Sequence, residues 1–576
     1  MSESFSTVLV KDNRLNCKSY VRYAVEKGGS NVTFNDVKAN SASNTSMTFN
    51  VIVPSEVTVI DRRVEWRAIC NFRLRFTNLP AGNDAANGYP PYDLVQYGLA
   101  GALCAYPLHA CCTTVSTTIN NNTTTANMDD ILQVLIRFMD RKHIHKYTST
   151  APTMPDNYYN FNDAVNAVNN PLAGYNNGEK ESDYHGRGAF PLINISLTAY
   201  NGPTGSIYSG AGGDQDLYIS FRSVEPFMLS PFAFGHESVN SQGFYGIQNM
   251  NFRMNFNSTY PLWDSAELNN GSSTHLTNIP EPTVQIDSFD DATLTFCYIT
   301  PHPEDMLPAK NVVSFLEMPR YITQGSATIA PLTTGVQSIN NIQLNQVPDK
   351  LVFAVRRKNL SVFKSNSFLP ITNISINWNN CSGILSAANQ EKLWLMSVES
   401  GINQSWPEWS GKTHAWKNTM DGVTPVAPYP ALQTPLVGGI LALDFAKDIE
   451  IRESFYAPGS LGTFQLQARL TFYNQDPDEQ VTPNDYEILV ITVNSGVYAL
   501  ERGTASTYTG ILTKQDVLDA SSQKAVFRHD VERLVGAGLM DNLKTSVGSA
   551  MAKEGSGASG GEDTGAGMSG GRRHRR

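Results

Sequence analysis

Hydrophobic and polar positions alternate along much of the chain. Between Val64 and Phe76, "VEWRAICNFRLRF", the side chains of Val64, Trp66, Ala68, Cys70, Phe72, Leu74 and Phe76 fall on one face, and Glu65, Arg67, Asn71, Arg73 and Arg75 fall on the other. That period-two pattern predicts a long strand with one wet face. It returns at Gly246–Phe256, "GIQNMNFRMNF", and at Gly462–Phe472, "GTFQLQARLTF", and a last hairpin is expected in Glu487–Arg502. Helical spacing interrupts the strands twice. Asn127 is suited to cap a helix carrying Asp129 and Asp130 in its first turn and Ile131, Leu132, Leu135, Phe138 and Met139 on its apolar face. Further along, Ser386 is a candidate cap for a helix whose apolar face is Leu393, Trp394 and Met396.

Laid side by side, these elements form two series. "MTFNVIVP" at Met47 resembles "LTFCYITP" at Leu294, and each stops at a proline, Pro54 or Pro301. Val64–Phe76 has a shorter and less regular counterpart in Lys350–Lys358, "KLVFAVRRK". Thr113–Phe138 matches Ile371–Met396 feature by feature: alternating residues, an Asn pair fit for a tight turn (Asn121-Asn122, Asn379-Asn380), a polar stretch and a helix. Glu225–Pro231 resembles Glu453–Pro458, and Gly246–Phe256 resembles Gly462–Phe472, aligning Met250, Phe252, Met254 and Phe256 with Leu466, Ala468, Leu470 and Phe472. Any one pairing of amphipathic strands is weak evidence. Five in the same order, with a helix at the same point, indicate two related β-domains in tandem, with Phe49 and Phe296 at equivalent buried positions.

Composition sharpens that picture. Charged residues make up only 17% of the 576 residues, below the roughly 25% of ordinary soluble domains. Asn, Thr, Ser and Gly take their place, as in Thr114–Asn127, which suits turns and solvent-facing strand positions. The N-terminus has no basic segment leading into an apolar run, so no signal peptide is expected, and no apolar run is long enough for a membrane-spanning helix. Seven cysteines without CxxC spacing read as buried thiols in a reducing compartment. Two long excursions, Met154–Phe190 and Trp406–Pro435, exceed the length of ordinary connections and are expected to meet neighbouring chains. After Arg502 the character changes. Thr513 and Asp516 are spaced as a capping box, Lys524–Val547 reads as helix, and from Glu554 a Gly/Ser-rich linker leads to "RRHRR".

Candidate chemistry is sparse. His143 and His145 could ligate a metal, but their charged surroundings fit a solvated helix end. Gly557–Gly561 matches the nucleophile-elbow pattern without the strand-to-helix turn the elbow needs. The acidic run Asp287–Ala292 lacks the spacing of a calcium loop and reads as a solvated turn. The aromatics of "WPEWSG" could stack on a sugar, yet such residues more often pack a loop or an interface. No constellation reads as an active site, so neither catalysis, cofactor, metal nor small-molecule substrate is expected.

Two consecutive β-domains with a helix inserted at the same point in each resemble the double jelly-roll major capsid proteins, the lineage of the adenovirus hexon and of virophage and polinton-like capsids. The resemblance covers Ser41 to Arg502 and rests on architecture and the internal repeat, not on a signature motif. It implies an all-β fold of two tandem jelly-roll β-sandwiches with a short helix in each; the C-terminal helices and disordered tail read from composition are added to that fold, and the tail departs from the family's pattern. The implied segments are an N-terminal arm (1–40), a first jelly roll (41–262), a second (285–502), a helical segment (503–548) and a flexible tail (549–576). It also implies homotrimers that assemble with other capsid proteins into an icosahedral shell, hence a place in the virion after assembly in the host cytoplasm or nucleus.

Tyr158, Tyr159, Tyr175, Trp406, Trp409 and Trp416, all on the two excursions, are expected at subunit interfaces, where aromatics are favoured. The terminal Arg572, Arg573, Arg575 and Arg576, on a chain of net charge −10, read either as a solubility tail or localisation signal or as a cluster that reaches genome nucleic acid or an inner membrane. An arginine-ended tail is also compatible with a small RNA or single-stranded DNA virus capsid having one shell jelly roll and one projecting β-domain. Outside viruses, a cell-surface β-sandwich adhesin would share the Asn/Thr composition.

Overall fold

A computed structural model describes residues 28–79, 92–139, 144, 146–161, 171–172, 186–202, 207–232, 243–259, 262–267, 279–358, 361–415 and 432–521. Eight strands build a first sandwich: Asn31–Lys38, Ser46–Ile52, Glu65–Leu79, Cys112–Ile119, Asn122–Ala126, Gly213–Pro226, Asn249–Phe256 and Thr283–Thr300. Numbered in that order, one sheet runs 1-8-3-6 and the other 2-7-4-5, with antiparallel neighbours. The second sandwich repeats both orders. Its strands are Lys310–Glu317, Thr334–Ser338, Lys350–Arg357, Ile371–Trp378, Cys381–Ile384, Leu441–Asp444, Leu461–Tyr473 and Tyr486–Glu501. Strand 1 continues as Arg320–Gln324 and strand 2 as Ile342–Gln346. This shared winding is the double Greek key of a jelly roll. With two sandwiches of one topology in tandem, an arrangement of one jelly roll and an unlike projecting domain is set aside.

The repeat is most exact where strands 4, 5 and 7 meet. Asn120 and Asn379 turn the hairpins between strands 4 and 5, each in the left-handed region (φ 53° and 48°) that asparagine tolerates better than most residues. Each is braced alike. The Asn120 N–H donates to the Asn249 carbonyl while its Oδ1 accepts from the Gln248 N–H at 2.9 Å. The Asn379 N–H donates to the Gln465 carbonyl and its Oδ1 accepts from the Gln465 N–H, again at 2.9 Å. Met250, Phe252 and Met254 pair with Ile119, Thr117 and Val115, as Leu466, Ala468 and Leu470 pair with Trp378, Ile376 and Ile374. The first turn is therefore Asn120-Asn121, one residue earlier than expected, while the second is Asn379-Asn380.

Met47–Pro54 and Leu294–Pro301 are not copies of each other. The first lies in strand 2 and the second in strand 8 of the same sandwich, in facing sheets, and both Phe49 and Phe296 are buried in its core. Thr283–Thr300 pairs with Glu65–Leu79 and Asn31–Lys38, so a second sandwich cannot begin at residue 285, and an N-terminal arm of 1–40 would contain the first sandwich's own strand 1. Phe296 instead packs on Phe252, ring centroids 5.7 Å apart. Two phenylalanines at period two look alike whichever sheet they line; only pairing partners tell them apart. The true counterpart of Thr283–Thr300 is Tyr486–Glu501. The acidic run from Asp287 is likewise no turn before a strand but an irregular part of one, with register shifts on both sides of it.

Other details differ by smaller amounts. The second helix, Gln390–Glu399, is capped by Asn389, whose side chain accepts from the Lys392 N–H, and not by Ser386. After Arg502 the chain first adds a strand, Thr504–Thr509, to Tyr486–Glu501 before the helix Lys514–Ser521. Thr513 and Asp516 form the expected reciprocal cap. Cys70, Cys104, Cys111, Cys112 and Cys381 are buried free thiols, and Cys297 is a half-buried one. The helix expected over Lys524–Val547, and Cys17, lie outside the described residues.

Replacing Asn120 or Asn379 by alanine is expected to lower stability by roughly 1 kcal/mol each, chiefly through left-handed strain, since the N–H released at Gln248 or Gln465 is exposed to water. Denaturant unfolding of the two variants would check it; indifference at one hairpin would contradict their structural equivalence.

Candidate assembly surfaces

The helices that follow strand 5 in each sandwich have opposite fates. Met128–Phe138 is buried at nine of its eleven residues, including Asp130 and Arg137. A helix covered on almost all sides needs an apolar partner on each. One partner is its own sandwich. The other is the second sandwich's 1-8-3-6 sheet, whose strands 3 and 8 are buried at nearly every position. Leu351, Phe353, Val355, Ile488 and Val490 line that sandwich's private core. Val352, Ala354, Leu489, Ile491 and Val493 point the other way and join the core of the first. Strands buried on both faces lose alternation, which is why Lys350–Lys358 read as irregular.

An ionic cluster closes the seam beside the helix N-terminus. Arg356 donates to Asp130 Oδ1 at 2.6 Å, to the Asp129 carbonyl at 2.8 Å and to Glu487, while Arg320 also reaches Asp130. Burial disfavours the Glu487 carboxylate, yet the hydrogen bond and charge of Arg356 outweigh it and hold its pKa below the ordinary range. In the second sandwich, Lys350 Nζ meets Asp444 at 2.8 Å and the Ser400 carbonyl at 2.6 Å.

The described parts of the excursions are pinned by their own chain. Arg187, 2% exposed, reaches Asp156 and Asp264, both at 2.7 Å. Two carboxylates face one guanidinium, and burial, then the charge of Asp156, push the Asp264 pKa up to about 7 against the pull of Arg187. Tyr159 is buried beneath the Arg357 guanidinium, 4.5 Å from its ring. Trp409 is 1% exposed and its indole N–H donates to the Ile440 carbonyl at 2.8 Å. The backbone at Gly439 lies so close that an added Cβ would stand 2.1 Å from the Trp409 ring. Tyr159 and Trp409 therefore have no surface to offer another subunit, correcting the expectation for them: their burial is within the chain. Trp406 is half-buried, stacked on Trp409 and edge-on to Trp394. Half-buried Tyr158 bridges to Leu436 across the two excursions. Tyr175, Trp416, the His143/His145 pair and the four terminal arginines lie outside the described residues.

Surfaces with apolar exposure sit elsewhere. Gln390–Glu399 buries only Leu393 and Ser397 of its ten residues, and leaves Leu395 45% and Val398 38% exposed. On the outer face of the first sandwich's 1-8-3-6 sheet, Val32 and Phe34 are 51% and 77% exposed. They stand opposite half-buried Ile299 and Cys297, beside a charged field that includes Arg67, Arg73, Asp36 and Asp216. Sequence reasoning overlooked Phe34 and Leu395 because each sits within a segment of otherwise ordinary amphipathic pattern.

Arg356→Met is expected to cost about 3–5 kcal/mol, since Asp130 and Glu487 would remain buried with too little positive charge; denaturant titration measures it. The Asp264 carboxyl titrates near 3.9 in an unfolded chain. Its raised folded pKa means stability present below pH 4 and lost as pH rises through about 7. Melting temperature should accordingly fall between about pH 4 and pH 7 and level off above that, and Asp264→Asn should flatten that slope.

Comparison with known proteins places this architecture. A family model described as Sputnik virophage major capsid protein 1st domain matches residues 3–298, and one described as Major capsid protein V20 C-terminal domain matches residues 318–496. The division falls after strand 8 of the first sandwich, as the pairing requires. The putative capsid protein V20 of Sputnik virophage is 26% identical over 554 residues, covering 94% of this chain and 86% of that one. The cryo-EM structure of the Sputnik virophage superposes with a TM-score of 0.77 at 25% identity, covering 92% of this chain and 99% of that one. The mavirus major capsid protein shares the fold at a TM-score of 0.67 and 13% identity, covering 92% of this chain and 100% of that one. Double winding, a shared seam and a match across more than half the chain lead to one conclusion: this chain belongs to the virophage major capsid protein family and is a structural protein of a virion.

Proposed function

We propose that the protein assembles as a trimer in which the contact between its two sandwiches is repeated from chain to chain. The observation carrying this reading is the unequal burial of the two equivalent helices. Met128–Phe138 lies between its own sandwich and the sheet of the next one along the chain. Gln390–Glu399 follows the same hairpin in the same fold, yet its Leu395 and Val398 are exposed. The surface corresponding to the one that receives the first helix is the outer face of the first sandwich's 1-8-3-6 sheet, where Val32 and Phe34 are exposed. A helix on one copy and a sheet on another form a heterologous contact, and such contacts close into rings when the rotation permits. Three chains would supply six sandwiches in a near-hexagonal tile suited to an icosahedral shell. Tyr158 and Trp406, only half-buried, remain candidates for contact with neighbours in that tile.

The carboxyl-terminal arginines extend the reading. Four arginines neutralise about four phosphates at most, so a single tail would hold nucleic acid weakly and with steep salt dependence. Many tails facing the inside of one shell would act together through effective concentration.

Leu395→Asp combined with Val398→Asp is expected to leave a folded monomer and remove the trimer, read by light scattering after size exclusion with circular dichroism as the folding control. An unchanged trimer would show that this helix is not the contact. Truncation after Gly555 should keep trimers and shells while lowering the nucleic acid they enclose; full packaging by truncated particles would rule out genome contact by the tail.

A further inference from the structure

Arg137, in the last turn of the helix at the seam, is only 3% exposed, and none of its Nε, Nη1 and Nη2 atoms meets a hydrogen-bond acceptor among the described residues. Its guanidinium lies 5.7 Å from the Phe368 ring, a contact that satisfies no N–H. A buried guanidinium left in this condition is costly unless something supplies acceptors. Beside it is a cavity of about 210 Å³, walled by Met139, Met154, Asp156, Gln404 and Glu408 and reaching solvent at exposed Asn403. At roughly 30 Å³ per water molecule the cavity could hold several waters or a small ion.

The lining is specific about what would fit. Arg137 offers donors in the planar fork that matches an oxyanion. Gln404 offers the reverse. Its amide N–H donates to the Gly438 carbonyl at 3.2 Å, which orients the side chain, and its buried Oε1 meets no donor among the described residues. Glu408 adds a carboxylate that already accepts from the Ser405 N–H and hydroxyl, each at 3.0 Å. Asp156 is held by Arg187 and by the Asn366 N–H. A complementary guest must therefore accept from Arg137 and donate to Gln404 or Glu408. A fully deprotonated anion such as sulfate meets the first demand and fails the second. Hydrogen phosphate meets both.

We propose that this cavity is a binding site for inorganic phosphate, held by Arg137 through two oxygens and by Gln404 or Glu408 through its single hydroxyl. The site joins the first sandwich's helix to the starts of both excursions, so an occupant would tie together three segments at the seam. The inference does not depend on the trimer: the cavity is complete within one chain.

Titrating the full-length protein with inorganic phosphate and, separately, with sulfate at constant ionic strength and near-neutral pH tests this, with binding followed by calorimetry. One phosphate per chain is expected, with sulfate weaker by at least about tenfold because it leaves buried acceptors unpaired. Arg137→Lys keeps the charge but loses the fork and should weaken phosphate by about tenfold or more. Glu408→Gln replaces an acceptor by a group that can also donate, so the preference for phosphate over sulfate should shrink. If Arg137→Lys does not fold, the wild-type preference and its narrowing in Glu408→Gln decide the matter. Absence of saturable phosphate binding, equal affinity for the two anions, or phosphate binding unaffected by Arg137→Lys would overturn the proposal and leave the cavity to water.

Discussion

The second sandwich's 1-8-3-6 sheet is buried on both faces, and most of the molecule's other features follow from that. A sheet with water on one side can satisfy charged side chains simply by pointing them outward. Here that exit is closed for strands 3 and 8. The charged residues near their ends must find partners in place, and Arg356 with Asp130 and Glu487, or Lys350 with Asp444, are the outcome. Such pairs add little net stability over apolar packing, but breaking one is expensive. They are better understood as setting the register of two sandwiches that could otherwise slide on an oily face. A fixed relation between the two halves is what a shell tile needs.

How much of this was legible in the chain depended on how each element meets its surroundings. The amphipathic strand Glu65–Leu79, with a buried face and a charged one, announced itself through alternation. So did the turn at Asn379, where local chemistry settles the backbone whatever lies beyond, and the helix start at Asn127, although that side chain makes no cap hydrogen bond. The twofold winding was legible too, because hairpin, helix and strand recur in order. Strand pairing was not. Leu294–Pro301 resembles Met47–Pro54 because both line one core, and sequence similarity between strands reports the environment they share as readily as descent. Thr283–Thr300 and its real counterpart, Tyr486–Glu501, look different for the converse reason: one has a wet face and the other has none.

The aromatic excursions show a related ambiguity. Tyrosine and tryptophan on long loops suit subunit interfaces, but they suit equally a loop that packs on its own sandwich. Trp409 took the second course, and the distinguishing signal was nearby: Gly438-Gly439 allows a backbone approach that only an internal indole would use. Arg187 is similar. In sequence it is one charge in a polar loop, while in the fold it is the buried anchor of two aspartates from distant segments.

The contrast between the two inserted helices goes beyond packing. They began as the same answer to the same local problem, a cover placed after the strand 4–5 hairpin. Met128–Phe138 meets its partner as the chain folds, so its solubility is never tested, and it has become apolar around most of its circumference. Gln390–Glu399 packs on its own sandwich through Leu393 and Ser397, and among the described residues nothing covers its other face. It carries Glu391, Lys392 and Glu399 on its surface and exposes isolated apolar residues instead of a continuous stripe. A protein made in many copies before assembly has to stay soluble while it waits, and apolar patches on free chains invite indiscriminate association. A contact formed within a chain can be strong without that hazard, whereas one formed between chains must be weaker for each residue and depend on repetition around a ring. In the trimer proposed above, the asymmetry between two copies of one motif marks which contact forms during folding and which is left for assembly.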